Sequence, residues 1–215
     1  CGGLIKSSLS TVLLDRVEDI QWTDRIDFGC QFVQIPACAN KALRSKIVEL
    51  IWSDGFYQII DAAIVSDVAG AMVLTRGERA GITTKVIQFR KPRSEWDAEL
   101  LDYVSQFNPD LVVSAGFMRI LSPKFIERFN VINSHPALLP KFPGANAVRD
   151  ALLANETITG CTVHWVDEGV DTGQIIAQEE VAIEPGDDEA KLHERIKILE
   201  RKLIVEVVRK LEGRH

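Results

Sequence analysis

From about residue 57 onward, short apolar runs alternate with segments of helical periodicity, which restricts the chain to few architectures. Tyr57 to Ser66 (YQIIDAAIVS) predicts a strand, Ala69 to Ala80 a helix closed by Gly81, and Lys85 to Phe89 (KVIQF) another strand. Ser94 is placed to cap a helix through Phe107, with Trp96, Leu100, Leu101, Val104 and Phe107 on one stripe. Leu111 to Ala115 (LVVSA) predicts a strand buried on both faces. Ser122 and Pro123 open a short helix to Phe129, with proline in the first turn, and Val131 to Ser134 is the next strand. Strands that alternate with helices predict an α/β fold: a doubly wound, mostly parallel sheet with helices on both faces.

The last third changes character. Ala147 to Asn155 predicts a helix. Cys161 to Val166 (CTVHWV) and Gln174 to Ile183 (QIIAQEEVAI) predict two strands joined by a seven-residue loop, an antiparallel C-terminal strand pair beside the sheet. Leu192, Ile196, Leu199, Leu203, Val207 and Leu211 follow helical spacing along a long C-terminal helix, leaving Lys191, Glu194, Arg195, Lys202 and Glu206 as a solvated face. Residues 1–56 are less regular. Phe32 to Ile35 predicts a strand stopped by Pro36, and Ala42 to Trp52 a helix.

At 215 residues, with 46% hydrophobic and 26% charged content, the chain matches a soluble domain with a sizeable core. A net charge of -6 argues against a nucleic-acid footprint. No run approaches the roughly 18 apolar residues of a membrane span, and no signal peptide is visible. Cys1, Cys30, Cys38 and Cys161 lack C-x-x-C spacing, so buried thiols of a cytoplasmic protein are expected rather than disulfides or a metal site. The opening at Cys1 rather than Met reads as a fragment or a processed product.

Chemistry concentrates in three segments. In VINSHPALLPKFPG (131–144), Asn133 and His135 alternate with Ser134, so both side chains leave one face of a strand at its carboxyl end. Open α/β sheets bind ligands there. An imidazole can donate a proton near neutral pH, and an amide NH₂ can bond a developing oxyanion. A lone strand-end histidine is more often a cap than a catalyst. The rigid loop of prolines that follows shifts the balance toward a site. Asp171, in VDEGVDTG (166–173), is expected to raise the imidazole pKa and fix its orientation, although Asp, Gly and Thr also simply make turns. In AGFMRIL (115–121), Gly116 allows close backbone approach and Arg119 lies among apolar residues, either as a site residue or snorkelling to water. His164 reads as a core or edge histidine, and His193 and His215 as surface residues. No metal-ligand spacing emerges.

Together PDLVVSAGFMRILSPKF (109–125), VINSHPALLPKFPGA (131–145), GCTVHWVDEGVDTGQIIAQ (160–178) and GDDEAKLHERIKILE (186–200) resemble the glycinamide ribonucleotide formyltransferases of purine biosynthesis. The resemblance runs from about Tyr57 to the C-terminus and implies a Rossmann-like formyltransferase fold. It implies transfer of a formyl group from 10-formyltetrahydrofolate to the amine of glycinamide ribonucleotide, with no metal, in a monomer or homodimer. His135 would act as general acid, Asn133 would bond the formyl oxygen, and Asp171 would hold His135 protonated and shuttle protons. Arg93, Met118, Arg119, Ile120 and Leu121 would line the folate pocket, with Asn133 and the loop Asp167, Glu168, Gly169, Val170 and Asp171. Gly116, Pro136, Lys197, Ile198, Leu199 and Glu200 would face the ribonucleotide, with Glu200 on its ribose hydroxyls.

The resemblance leaves two alternatives: a formyltetrahydrofolate deformylase, and an inactive folate-binding protein. The deformylases usually carry a second histidine where this chain has Pro136. The family's first strand and glycine-rich phosphate loop have no clear counterpart in residues 1–56. Gly2 to Ser8 is one candidate remnant, and Phe32 to Ala39 running into Asn40 is another. Retained folate binding with impaired ribonucleotide binding is therefore expected, together with a gap in the sheet.

Overall fold

The computed structural model describes residues 11–15 and 63–212. In chain order the elements are β1 (Thr11–Asp15), β2 (Ala63–Ser66), α1 (Met72–Arg79), β3 (Thr83–Val86), α2 (Arg93–Ser105), β4 (Leu111–Ala115), α3 (Pro123–Arg128), β5 (Val131–His135), α4 (Ala147–Leu153), β6 (Ile158–Trp165), β7 (Ile175–Ala182) and α5 (Glu189–Glu212). One seven-stranded sheet takes the order β3-β2-β1-β4-β5-β6-β7. The first five strands run parallel, and β6 and β7 follow antiparallel.

The sheet has no gap at its centre. β1 pairs with both β2 and β4 and supplies the strand that the sequence did not reveal. TVLLD is too short for periodicity to separate strand from helix. Tyr57 to Ala62 of the expected strand, the expected strand Phe32 to Ile35, the expected helix Ala42 to Trp52, both candidate phosphate loops and His215 lie outside the described residues.

Two apolar layers sandwich the sheet. On one face Ile64, Leu111, Val113, Ile132, Cys161 and Val163 pack against α1, α4 and the α5 side chains Leu192, Ile196, Leu203 and Val207. On the other, Ala63, Val65, Val112 and Val131 pack against Trp96, Leu100 and Val104 of α2 and Phe125 of α3. β4 is buried at every position, as a central strand without polar alternation should be. Each fully buried side chain such as Phe125 or Ile132 contributes ~1.5–3 kcal/mol. Gly77 lets α1 lie close on β2: a Cβ there would stand 2.5 Å from Ile64 Cδ1.

Several boundaries differ from expectation. β3 is Thr83–Val86 rather than Lys85 to Phe89. Its ladder ends where the Ile87 carbonyl turns to accept from Trp96 Nε1 at 2.9 Å. The N-cap position of α2 is Pro92, not Ser94, and no side chain caps it. α4 stops at Leu153, and the β6–β7 loop runs from Val166 to Gln174, two residues longer than expected. Arg195 is not on a freely solvated face: it bonds Asp187 and the Ala182 carbonyl.

Candidate active site

β5 delivers Asn133 and His135 to the sheet's carboxyl edge on the same face, and the β5–β6 register decides their neighbours. His164 stands opposite Asn133, and Thr162 opposite His135. Asn133 Nδ2 lies 3.3 Å from His164 Nε2. The other nitrogen of His164, Nδ1, donates to the Trp165 carbonyl at 2.8 Å. A register shift at Val163/His164, where Ile176 of β7 is the extra residue, aims His164 at the site. His164 was expected as a core or edge histidine. It is buried, and its ring also meets Asn133 and Asp171.

The β6–β7 loop brings Asp171 between the two histidines. Its Oδ2 lies 3.3 Å from His135 Nδ1, and its Oδ1 lies 3.5 Å from His164 Nε2. The Gly144 N–H donates to Oδ2 at 2.7 Å, which ties the proline-rich loop to the acid. His135 Nε2–H donates to the Phe142 carbonyl at 2.8 Å. Asp171 and Phe142 hold φ of 56° and 55°, a left-handed backbone that non-glycine residues adopt only when the surroundings enforce it.

That enforcement comes from residues the sequence did not single out. Thr162 Oγ1 donates to the Ala137 carbonyl at 2.6 Å and accepts from the Leu139 N–H at 3.1 Å. Gln178 Nε2 donates to the Leu139 carbonyl at 2.9 Å. Gly173 passes so close to β6 that a Cβ would stand 1.7 Å from the Trp165 carbonyl oxygen, so only glycine closes the Asp171 loop here.

The electrostatics correct one expectation. Burial pushes the His135 imidazole down; the Asp171 carboxylate and the Phe142 carbonyl push it up, and the net lies below its ordinary value. Asp171 therefore does not by itself keep His135 protonated. Burial raises the Asp171 carboxyl, but the His164 contact, the Gly144 N–H and the charges of both histidines outweigh it and hold it below the usual carboxylate range. The pair is an anionic acceptor beside a neutral imidazole whose ring nitrogens both face oxygen acceptors, poised to take up a second proton when negative charge appears nearby.

A cavity of about 670 Å³ opens beside this cluster, within the size range of small-molecule sites. Its lining includes Asn133, His135, Pro136, Asp167, Gly169, Val170 and Asp171, and Gly116 through Leu121 from the turn after β4. Gly116 holds φ of 68° where the chain leaves the sheet. Arg119 does not snorkel: its Nε donates to Asp67 Oδ2 at 2.6 Å. Arg93 stands outside the lining and donates to the Ile120 carbonyl, bracing that wall from behind.

The second wall, facing the turn after β4, is α5, through Glu189, His193, Lys197 and Glu200. Of the run Lys197 to Glu200, only the first and last face the cavity, because residues three apart share a helix face. Ile198 is exposed, and Leu199 packs on the core. Glu168 also falls outside the lining. His193, expected at the surface, lines the cavity instead; burial first, and then Lys197, push its imidazole down. Glu200 accepts from Ser134 Oγ at 2.7 Å, and burial raises its carboxyl above the ordinary value despite that bond. The spacing 189, 193, 197, 200 is the sequence signal that could have disclosed this wall.

Residues 41–208 match the formyl transferase family. Phosphoribosylglycinamide formyltransferase of Mycobacterium tuberculosis is 54% identical over 118 residues, which cover 54% of this chain and 55% of that protein. The human trifunctional purine biosynthetic protein adenosine-3 is 46% identical over 144 residues, 65% of this chain and 14% of that protein. The match thus spans just over half the length of the mycobacterial relative and a small part of the human one. Among solved structures, glycinamide ribonucleotide transformylase 1 of Symbiobacterium toebii aligns with a TM-score of 0.77 and 28% identity, covering 97% of this chain and 90% of that one.

Proposed function

The chain belongs to the formyl transferase family, and on that premise we propose that it moves a formyl group from 10-formyltetrahydrofolate to the amine of glycinamide ribonucleotide in purine biosynthesis. The observation that carries this reading is the meeting of Asn133, His135 and Asp171 at the edge of a cavity with two unlike walls. The amine nitrogen attacks the formyl carbon, a new C–N bond forms, and the bond to the folate nitrogen breaks. The amine loses a proton, and the folate nitrogen gains one.

Each residue has a part in that balance. The Asn133 amide, oriented by His164, donates to the formyl oxygen as it gains negative charge. His135 is neutral until then; as the charge develops, its Nδ1 takes over from Asp171, 3.3 Å away, the proton that the amine releases, and the leaving folate nitrogen takes that same proton up as its bond breaks. Asp171, ionised well into the acid range, accepts the proton the amine releases. The wall from Gly116 to Leu121, with Met118 and Ile120 exposed, offers apolar surface to the folate. Lys197 and Glu200 offer charge and hydrogen bonds to the ribonucleotide. The reading includes no metal. It places the enzyme in the cytoplasm, as the free, buried Cys161, its thiol pushed by burial up to about 12, supports.

A turnover assay with 10-formyltetrahydrofolate, with and without glycinamide ribonucleotide, tests the reading through release of tetrahydrofolate. Release that depends on the ribonucleotide is the expected result. Release that ignores it would point to hydrolysis, and no release to a binding protein.

A further inference from the structure

Asp67 follows directly on β2, and its side chain is 1% exposed. One carboxylate oxygen accepts from Arg119 Nε at 2.6 Å, while the other, Oδ1, has no hydrogen-bond partner among the described residues. A buried carboxylate half satisfied in this way is unfavourable for folding, so a role elsewhere would explain its presence.

The arginine it holds belongs to the cavity wall. Arg119 is 28% exposed by its side chain, and its guanidinium carbon stands 4.4 Å from the Phe89 ring centroid. Phe89 in turn meets Trp96 edge-on at 5.4 Å, so the platform beneath the cation is fixed in the core. The guanidinium is therefore held at Nε by an acid and on one face by an aromatic ring. Its two η nitrogens make no further hydrogen bond among the described residues, and Arg119 is part of the cavity lining. Asp67 itself lies outside the cavity lining. Among the described residues, Asp67 reaches the cavity wall through its bond to Arg119.

We propose that Asp67 is a positioning residue for the one-carbon donor: it fixes Arg119, and with it the wall from Gly116 to Leu121, in the shape that accepts the folate. The inference rests on the formyl-transfer reading above. It assigns Asp67 to one substrate only, because the α5 wall that offers charge to the ribonucleotide makes no contact with the Asp67–Arg119 pair among the described contacts. The short Nε bond is charge-assisted, so an amide in place of the carboxylate keeps the shape and loses most of the hold.

Asp67→Asn should raise the KM for 10-formyltetrahydrofolate roughly tenfold, with a much smaller change in kcat and an unchanged KM for the ribonucleotide. In an Arg119→Ala background the same substitution should have no further effect on donor KM, because both act through one guanidinium. Asp67→Ala should behave as Asp67→Asn does; if it fails to fold, the isosteric variant still decides. An unchanged donor KM in Asp67→Asn would overturn the proposal. So would an equal rise for both substrates, or a full effect in the Arg119→Ala background, since each marks a merely structural residue. If the wild-type chain shows no turnover, the reading of its function fails separately, and direct calorimetric binding of 10-formyltetrahydrofolate to wild type and Asp67→Asn decides this proposal. Weaker binding by the variant would support it, and equal or absent binding would overturn it.

Discussion

The two walls of the cavity differ in kind. The wall after β4 is made of loop, presents Met118 and Ile120 at 55% and 56% exposure, and is braced from behind by Arg93 and Asp67. The wall on α5 is made of helix and presents Glu189, His193, Lys197 and Glu200. Exposed apolar surface in a cavity suits a flat, largely apolar ligand; an array of charged groups with fixed helical spacing suits a polar, hydroxylated one. Between the walls stands a cluster that belongs to neither, since β5 and the β6–β7 loop supply it. On the proposed reading, recognition of two substrates and the chemistry between them are carried by separate elements, and so can be damaged separately.

The largest effects should come from the cluster, where damage spares both walls. His135→Ala and Asp171→Asn should each lower kcat by ~10²–10⁴ while both KM values stay near wild type, as steady-state kinetics with either substrate varied would show. Near-normal turnover in both variants would break the division. Gly173→Ala should come next. It touches no ligand, but its Cβ would displace the loop that carries Asp171, and a misplacement of that order costs ~10² in kcat.

Smaller effects should separate the walls. Ile120→Asn removes apolar surface and should raise the KM of the donor alone, by about tenfold. Glu200→Gln should raise the KM of the ribonucleotide alone, by a similar factor of roughly ten. Because burial holds the Glu200 carboxyl above its ordinary value, its charge opposes folding near neutral pH. The glutamine variant should therefore melt higher than wild type in a calorimetric scan. A rise in both KM values from either substitution would merge the walls.

The smallest effect concerns pH. His135 sits below its ordinary 6.5 in the fold, so the unfolded chain takes up its proton first as pH falls through that value. Stability from this group is full above about pH 6.5 and declines below it. His135→Ala should thus flatten the fall of Tm between about pH 6.5 and 5. Asp171 adds to the decline only at more acid pH, below its ordinary 3.8.

Much of this was legible in the chain, and the rest was hidden for identifiable reasons. Asn133, His135 and Asp171 could be read because strand alternation and a proline-rich stop fix where the side chains emerge. β4 and α5 could be read because a wholly apolar run and a long 3.6-residue period admit few alternatives. His164 could not, since its role depends on standing opposite Asn133, and cross-strand register is not written in either strand alone. Asp67 could not, because its partner lies 52 residues away in an unrelated loop. The protonation of His135 was misjudged for a related reason: a nearby acid is readable in sequence, and the depth of burial opposing it is not.

The place of β1 has a consequence for how the molecule is made. Val12 must find Ala63 on one side and Val112 on the other, so the middle of the sheet precedes both its neighbours in the chain. During synthesis, the strand leaves the ribosome long before β4 exists to flank it. Its backbone must wait, unpaired on that side, until the chain through Leu111–Ala115 has emerged. Loop-closure entropy has to be met on both sides before the centre is secured, which predicts slow folding set by topology rather than by any single contact.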